Sequence, residues 1–214
     1  MLHKSRFRSL TIVLIINFVI RYLLVGQTSV QKFFGAFLYT VIALALVWAY
    51  RKERHRLTIL LLLNFIMTVF RWINFFIESN IIYICILISA VLFFMALVQS
   101  LFRSLVSSHD VDADTLYGSV AIYLLMGNLW NSFYSIILYF DPQAFYTAHG
   151  DLDLLYFSFV TLVSLGYGDI VPVSELARLA ATSEGIVGTL YVAIVISRVV
   201  GLYVSEKGSL RREQ

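Results

Sequence analysis

Long apolar runs, separated by short polar segments, make up most of the 214-residue chain. A transmembrane helix needs about 20 mostly apolar residues, and five runs reach or approach that length: 10–26, 33–50, 57–77, 81–102 and 116–140. A sixth run, 178–204, is long and rich in small residues. The pattern predicts an all-α membrane protein with six transmembrane helices.

A shorter apolar run, 151–163, lies between the last two predicted spans. At about 1.5 Å per residue it cannot cross a hydrocarbon core of about 30 Å. We therefore predict a re-entrant half-helix, which a membrane tolerates only where protein or water surrounds its ends. The polar, glycine-containing run that follows, 164–169, is predicted to form a loop between this half-helix and the last span.

The composition supports a membrane protein and argues against several other classes. Hydrophobic residues make up 60% of the chain and charged residues 14%, whereas a soluble domain has about 25% charged residues. The single cysteine, Cys85, excludes a disulfide framework within the chain, and the four histidines lie too far apart to suggest a metal site. The sequence contains no nucleophile arrangement and no cluster of acid and base residues that would indicate an enzyme. Contact with lipid explains the net charge of +3 better than nucleic acid does.

Lysine and arginine are concentrated in alternate connecting segments, and in membrane proteins they are enriched on the cytoplasmic side. With the N-terminus in the cytoplasm, the outer segments hold only Lys32 and Arg178. The inner segments hold Lys4, Arg6, Arg8, Arg51, Lys52, Arg54, Arg56, Arg103, Lys207, Arg211 and Arg212. We predict a multi-pass protein of the cell membrane, with cytoplasmic N- and C-termini and a half-helix that enters from outside. The first run could be a signal peptide, but Arg21 interrupts it, so a retained helix is favoured.

The run T-L-V-S-L-G-Y-G-D, from Thr161 to Asp169, resembles the potassium-channel signature T-x-x-T-x-G-Y-G-D, with Ser164 in place of the second threonine. The resemblance extends over 116–204, and Y-L-L-M-G (123–127) and D-P (141–142) also resemble short bacterial ion-channel proteins. It implies a homotetramer of the tetrameric potassium-channel superfamily, embedded in lipid.

The resemblance also implies a division of the chain into four parts. Residues 1–103 would form a four-helix transmembrane domain at the position of a voltage sensor, and 104–115 a cytoplasmic linker. Residues 116–204 would form the pore domain, with an outer helix, a pore helix, a selectivity filter and an inner helix. Residues 205–214 would be a short cytoplasmic tail.

A filter for K⁺ replaces the hydration shell of the ion with rings of backbone carbonyls. Pointing successive carbonyls at one axis requires alternate residues in conformations that a Cβ disfavours, and Gly166 and Gly168 meet that need. The predicted K⁺-coordinating residues are Ser164, Leu165, Gly166, Tyr167 and Gly168. The predicted supporting residues are Thr161, Asp169, Tyr156 and Phe157, with Tyr167 wedged against the two half-helix aromatics. We expect no cofactor, and K⁺ as the only metal ion.

Besides Ser164, four positions depart from the family pattern. Tyr156 and Phe157 replace a usual tryptophan pair, Val160 replaces a residue that is often acidic or polar, and Leu165 replaces the usual valine. These changes affect the bonds that brace the filter more than the carbonyls themselves. A K⁺-selective channel is therefore the leading hypothesis. A weakly selective cation channel and a non-conducting accessory subunit are the alternatives.

Two residues of the last span are candidates for gating. Gly188 lies 20 residues after Gly168, where similar channels have a hinge, but it could equally be a small residue for close helix packing. Glu184, one turn earlier, is a carboxylate within the membrane and therefore a candidate for function. We favour a position behind the half-helix, bonded to Thr161 or Ser164, over one facing the cavity.

The gating stimulus is not evident from the sequence. A voltage sensor needs several arginines on one helix, and the run 81–102 contains no arginine or lysine. Arg21 and Arg71 are isolated, and we expect them to extend to the outer interface. Asp114 or Thr115 is predicted to cap the fifth helix. The alternative for this acidic linker is a divalent-ion sensor that includes Asp112.

Overall fold

The computed structural model describes residues 7–23, 28–51, 53–107, 113–148, 150 and 152–212. Its described part contains seven helices and one short two-stranded antiparallel ladder. The helices are α1 (Arg8–Leu23), α2 (Thr28–Tyr50), α3 (Arg54–Phe76), α4 (Asn80–Ser107), α5 (Ala113–Phe140), α6 (Leu154–Leu162) and α7 (Glu175–Arg212). The strands are β1 (Phe145–Thr147) and β2 (Ile170–Pro172).

Four of the described helices are long and apolar enough to cross a membrane: Arg54–Phe76, Asn80–Ser107, Asp114–Phe140 and Glu175–Val195. The protein is therefore a multi-pass membrane protein with an all-α fold. α1 has 16 residues, and Ala36–Tyr50 is a shorter apolar helix. By length and composition, the described residues therefore establish four of the six predicted spans but not the first two.

The first four helices pack against one another in chain order, and α1 and α4 both pack against α5. Their buried apolar side chains form one continuous core with the first half of α5. Polar contacts join α1 to α5 at one end: the Phe7 backbone N–H donates to the Asp114 carboxylate over 2.8 Å, and the Thr11 hydroxyl donates to the Tyr117 carbonyl over 2.8 Å. The start of the fifth helix is thus attached to the start of the first.

This contact corrects the prediction of a helix cap. α5 begins at Ala113, so Asp114 and Thr115 lie inside its first turn. The Asp114 carboxylate accepts from the backbone N–H of Phe7, directly before α1. The alternative, a divalent-ion sensor that includes Asp112, falls outside the described residues. α4 continues to Ser107 and α7 to Arg212, so helical structure passes the predicted boundaries at 103 and 204.

Arg71, which we expected to extend to the outer interface, contacts an aromatic ring of the neighbouring helix, and its position at the interface stays a prediction. Its guanidinium carbon lies 4.3 Å from the centre of the Tyr39 ring, in a cation–π contact between α3 and α2. Its Nε atom is buried and has no hydrogen-bond partner among the described residues. The aromatic face takes the place of water for this cation, because the side chain packs into the four-helix region.

Candidate functional site

α6 is the short helix that the sequence predicted before the glycine-containing run. The Asp153 carboxylate caps its N-terminus and accepts from the backbone N–H groups of Leu155 and Tyr156 over 2.9 and 3.1 Å. The helix has nine residues and is therefore about 14 Å long. It is too short to cross a membrane.

The last four carbonyls of α6, which a helix end leaves without helical partners, all accept hydrogen bonds. The backbone N–H groups of Val163, Ser164 and Leu165 donate to the carbonyls of Phe159, Thr161 and Val160 over 3.0, 3.0 and 2.9 Å. The Tyr123 hydroxyl of α5 donates to the Leu162 carbonyl over 3.3 Å. The start of the following loop is consequently held against the end of α6.

Alternate residues of this loop have left-handed backbone conformations. Ser164, Gly166 and Gly168 have φ values of +59°, +58° and +79°, while Leu165 and Tyr167 between them are not in this region. Among the described residues of the chain, no heavy atom lies within 4 Å of a Cβ placed on Gly166 or Gly168. The left-handed backbone, which Ser164 also adopts, therefore favours glycine here, and lack of space within the chain does not. The left-handed φ of Ser164 was not predicted.

The end of the loop after Gly168 is held by Asp169 and by the ladder. The Tyr156 hydroxyl hydrogen-bonds to the Asp169 carboxylate, which raises the pKa of this phenol. β1 and β2 pair in antiparallel register, with Tyr146 opposite Val171. The Ala148 backbone N–H also donates to the Asp169 carbonyl over 3.0 Å. The segment after the loop is thus attached to the segment between α5 and α6.

The two half-helix aromatics have different environments. Tyr156 lies beside Asp169 and interacts with Tyr167, close to where the sequence placed it. Phe157 is buried, with its ring 5.0 Å from that of Tyr134 and 5.6 Å from that of Phe145. It faces α5 and β1, and therefore supports α6 from behind instead of wedging Tyr167.

Gly188 allows α7 to approach the end of α6 closely. A Cβ at this position would lie 2.4 Å from the Leu162 carbonyl oxygen, whereas one at Gly185 would meet only the Thr161 carbonyl oxygen, at 3.9 Å. α7 is a continuous helix through both glycines. This geometry favours the packing interpretation of Gly188, and the hinge remains a prediction.

Glu184 is completely buried, behind α6 as favoured from the sequence, but its partners differ from those predicted. The Tyr134 hydroxyl contacts its Oε2 atom, and the Ser158 Oγ atom lies 2.5 Å from its Oε1 atom. Gly188 of α7 lies against Leu162 of α6. Glu184, four residues before Gly188, contacts Ser158, four residues before Leu162. α6 and α7 therefore run in the same direction, which brings Glu184 to Ser158 and not to Thr161 or Ser164.

Sequence reasoning missed several residues that contact this region. They are Tyr123, Gly127, Tyr134, Ser158 and Thr189. The Thr189 hydroxyl lies 3.4 Å from that of Ser164, and the Phe159 ring would lie 2.5–2.8 Å from a Cβ on Gly127. The only sequence signal was the Y-L-L-M-G resemblance, which contains Tyr123 and Gly127.

Comparison with known proteins identifies relatives of this region. A family model described as "Ion channel" matches residues 115–205. The chain is 37% identical over 86 residues to two pore potassium channel a of Oryza sativa subsp. japonica, and 35% identical over 91 residues to two-pore potassium channel 1 of Arabidopsis thaliana. These matches cover 40% and 42% of the chain, but only 23% and 24% of the length of those relatives.

A bacterial relative is covered more completely. The chain is 31% identical over 103 residues to protein LctB of Bacillus caldotenax, a match that includes 44% of the chain and 76% of that protein. No solved structure matches the chain significantly. The match to an ion channel family indicates transport and not enzymatic catalysis. The chain belongs to this ion channel family and, with it, to the potassium-channel superfamily.

Proposed function

We propose that the protein is a K⁺-selective channel that passes ions passively through a homotetrameric pore in the cell membrane. The observation that carries this proposal is the alternation of left-handed residues at Ser164, Gly166 and Gly168, directly after the end of a short helix. A strand with this alternation can present successive carbonyls to one side. Rings of such carbonyls replace the hydration shell of a K⁺ ion.

In the proposed mechanism, the carbonyls of Ser164, Leu165, Gly166, Tyr167 and Gly168 coordinate K⁺, and the Ser164 hydroxyl adds a ligand at the inner end. The negative end of the α6 dipole favours a cation near the C-terminus of that helix. Thr161 and Val160 hold the first amides of the filter. The Tyr156–Asp169 bond supports its outer end.

Exposure of the loop in a single chain supports a tetramer. Leu165 and Tyr167 are 57% and 67% exposed, although irregular backbone at membrane depth requires protein or water around it. One chain also supplies only one filter strand. Four copies around a cyclic axis would surround a central ion path and cover these side chains.

We also propose six transmembrane helices with both termini in the cytoplasm, from the distribution of lysine and arginine. Residues 1–103 would form a four-helix scaffold around the pore domain of 116–204, joined by the linker 104–115 and followed by the tail 205–214. α4 has no basic residue before Arg103, so this scaffold lacks the charges of a voltage sensor.

A weakly selective cation channel is the second candidate, and the position of Phe157 favours it. Because this ring faces Tyr134 and Phe145, it leaves Tyr156 as the half-helix aromatic beside the filter. A filter braced by fewer side chains can adjust more readily to ions of different size.

Planar-bilayer recording of the purified full chain tests the proposal. With a tenfold K⁺ gradient opposed by Na⁺, a K⁺-selective pore reverses near the K⁺ potential, about 59 mV from zero. Reversal near zero would instead establish the weakly selective channel. Failure of proteoliposomes containing only this chain to take up K⁺ or Rb⁺ would contradict conduction and favour an accessory subunit.

A further inference from the structure

Behind the proposed filter, three helices meet at a group of polar atoms that we name the Glu184 cluster: the Glu184 carboxyl, the Ser158 and Tyr134 hydroxyls and the Gly127 carbonyl. Ser158 Oγ lies 2.5 Å from Glu184 Oε1 and 2.9 Å from the Gly127 carbonyl oxygen. The Tyr134 hydroxyl contacts Glu184 Oε2. Glu184, Ser158 and Tyr134 are all completely buried or nearly so.

The number of hydrogens in the Glu184 cluster indicates the protonation state of Glu184. A serine hydroxyl and a tyrosine hydroxyl each carry one hydrogen, and an ionised carboxylate carries none. With Glu184 ionised, Ser158 would face two acceptors with a single hydrogen, and one close oxygen pair would have none. With Glu184 protonated on Oε1, it donates to Ser158, Ser158 donates to Gly127, and Tyr134 donates to Oε2. All three contacts then have a hydrogen.

The surroundings of the cluster favour the same state. No lysine, arginine or histidine in the described part of the chain forms an ion pair with Glu184. The titratable groups that interact with it are Tyr134 and Tyr123, both on α5. An ionised carboxylate without a cation is very costly in a buried site, and a neutral, fully bonded one is not.

The geometry points to Glu184 as a neutral carboxylic acid that positions the filter by joining α5, α6 and α7. Ser158 lies on α6 one turn before Leu162, whose carbonyl meets Gly188 on α7. The carbonyls of Val160 and Thr161, between these contacts, hold the first filter amides. The Glu184 cluster therefore fixes the helix from which the filter starts. This inference rests on the proposed function for its effect on ions, but not for the protonation state.

Three substitutions separate a neutral acid from a charged one. E184Q keeps a donor toward Ser158 and an acceptor toward Tyr134, so conductance and the K⁺/Na⁺ permeability ratio should stay within about twofold of wild type. E184A leaves the Tyr134 hydroxyl without its Glu184 partner and the Ser158 hydroxyl bonded only to the Gly127 carbonyl, and the permeability ratio should fall about tenfold. S158A should resemble E184A. S132A is the matched control, because Ser132 is also buried but donates to its own helix at Asn128 over 2.9 Å.

Infrared spectroscopy measures the protonation state without requiring conduction. The difference between wild type and E184Q at neutral pH should contain the C=O stretch of a protonated carboxylic acid. If wild-type protein conducts K⁺, the inference is overturned by absence of that band or by equal losses of selectivity in E184Q and E184A. Absence of wild-type current together with presence of the band would instead contradict the proposed function alone.

Discussion

The two halves of the molecule use polar side chains differently. In α5–α7, hydroxyls reach from one helix to another: Ser158 to Gly127, Tyr123 to Leu162, and Tyr191 to Ser119. In α1–α4, several hydroxyls return to carbonyls of their own helix, as Thr40, Thr58, Ser89 and Ser104 do. Hydroxyl bonds thus join α5–α7 to one another, although Ser132, Ser135 and Thr189 also return to their own helix. Among α1–α4 the described side-chain bonds lie mostly within a helix, and Asn64 of α3 donates to Tyr39 of α2.

This difference corresponds to what each half has to maintain. In the proposed channel, α5–α7 would hold the filter carbonyls in one arrangement, and buried polar bonds specify one arrangement because misplacing them leaves groups unsatisfied. Apolar helix packing tolerates side-chain changes of similar volume at small cost. We therefore expect substitutions of similar size to have large effects in α5–α7 and small effects in α1–α4.

The largest effect is expected from G166A. Alanine in the left-handed conformation costs about 1–2 kcal/mol per residue. In a tetramer, each of the four chains would bear this cost around the same ion pathway. The backbone at this position can relieve it by rotating, which would turn a carbonyl away from the ion. We predict loss of measurable K⁺ conduction in bilayers, with the assembled protein still recovered by size-exclusion chromatography.

G150A is the matched control for this prediction. Gly150 has a similar φ of +87° and, within the described part of the chain, no heavy atom within 4 Å of a placed Cβ, but it lies before α6 and outside the loop. G150A should lower stability by about 1 kcal/mol and leave conduction intact. Equal loss of conduction in the two variants would show that general strain, and not the filter, is responsible.

The same distinction explains which features the sequence could predict. Gly166 and Gly168 are visible in the sequence because a left-handed backbone demands a particular residue type. The short helix was predictable from the length of its apolar run. These are local properties of the chain. Family membership, inferred from the signature run, is confirmed by the comparisons.

Contacts between distant segments could not be predicted. The sequence indicated that Glu184 lies behind the half-helix, but not that α6 and α7 run in the same direction, and this direction selects Ser158 as its partner. Phe157 was assigned to the filter, yet a helix turns about 100° per residue, so it and Tyr156 face different neighbours. The cation–π contact of Arg71 with Tyr39 was not predicted, because the two residues are distant in sequence.

A smaller effect is expected from G188A, which tests the junction of α6 and α7. The new Cβ would meet the Leu162 carbonyl oxygen at 2.4 Å, and overpacking of this kind costs about 1–3 kcal/mol. The melting temperature should fall by about 2–4 °C for each kcal/mol, measured by thermal unfolding in detergent. G185A, with its nearest atom at 3.9 Å, should change it little. A change in open probability with an unchanged melting temperature would favour the hinge instead.

The smallest effect is expected from N64L in the four-helix region. Asn64 is buried on α3, and its Nδ2 atom donates to the Tyr39 carbonyl of α2 over 3.3 Å. Hydrogen bonds between transmembrane helices contribute about 0.6 kcal/mol on average, and leucine has a similar volume. We predict a change in unfolding free energy below about 1 kcal/mol, with the K⁺/Na⁺ permeability ratio unchanged. A loss of selectivity as large as that of S158A would contradict the expected difference between α5–α7 and α1–α4.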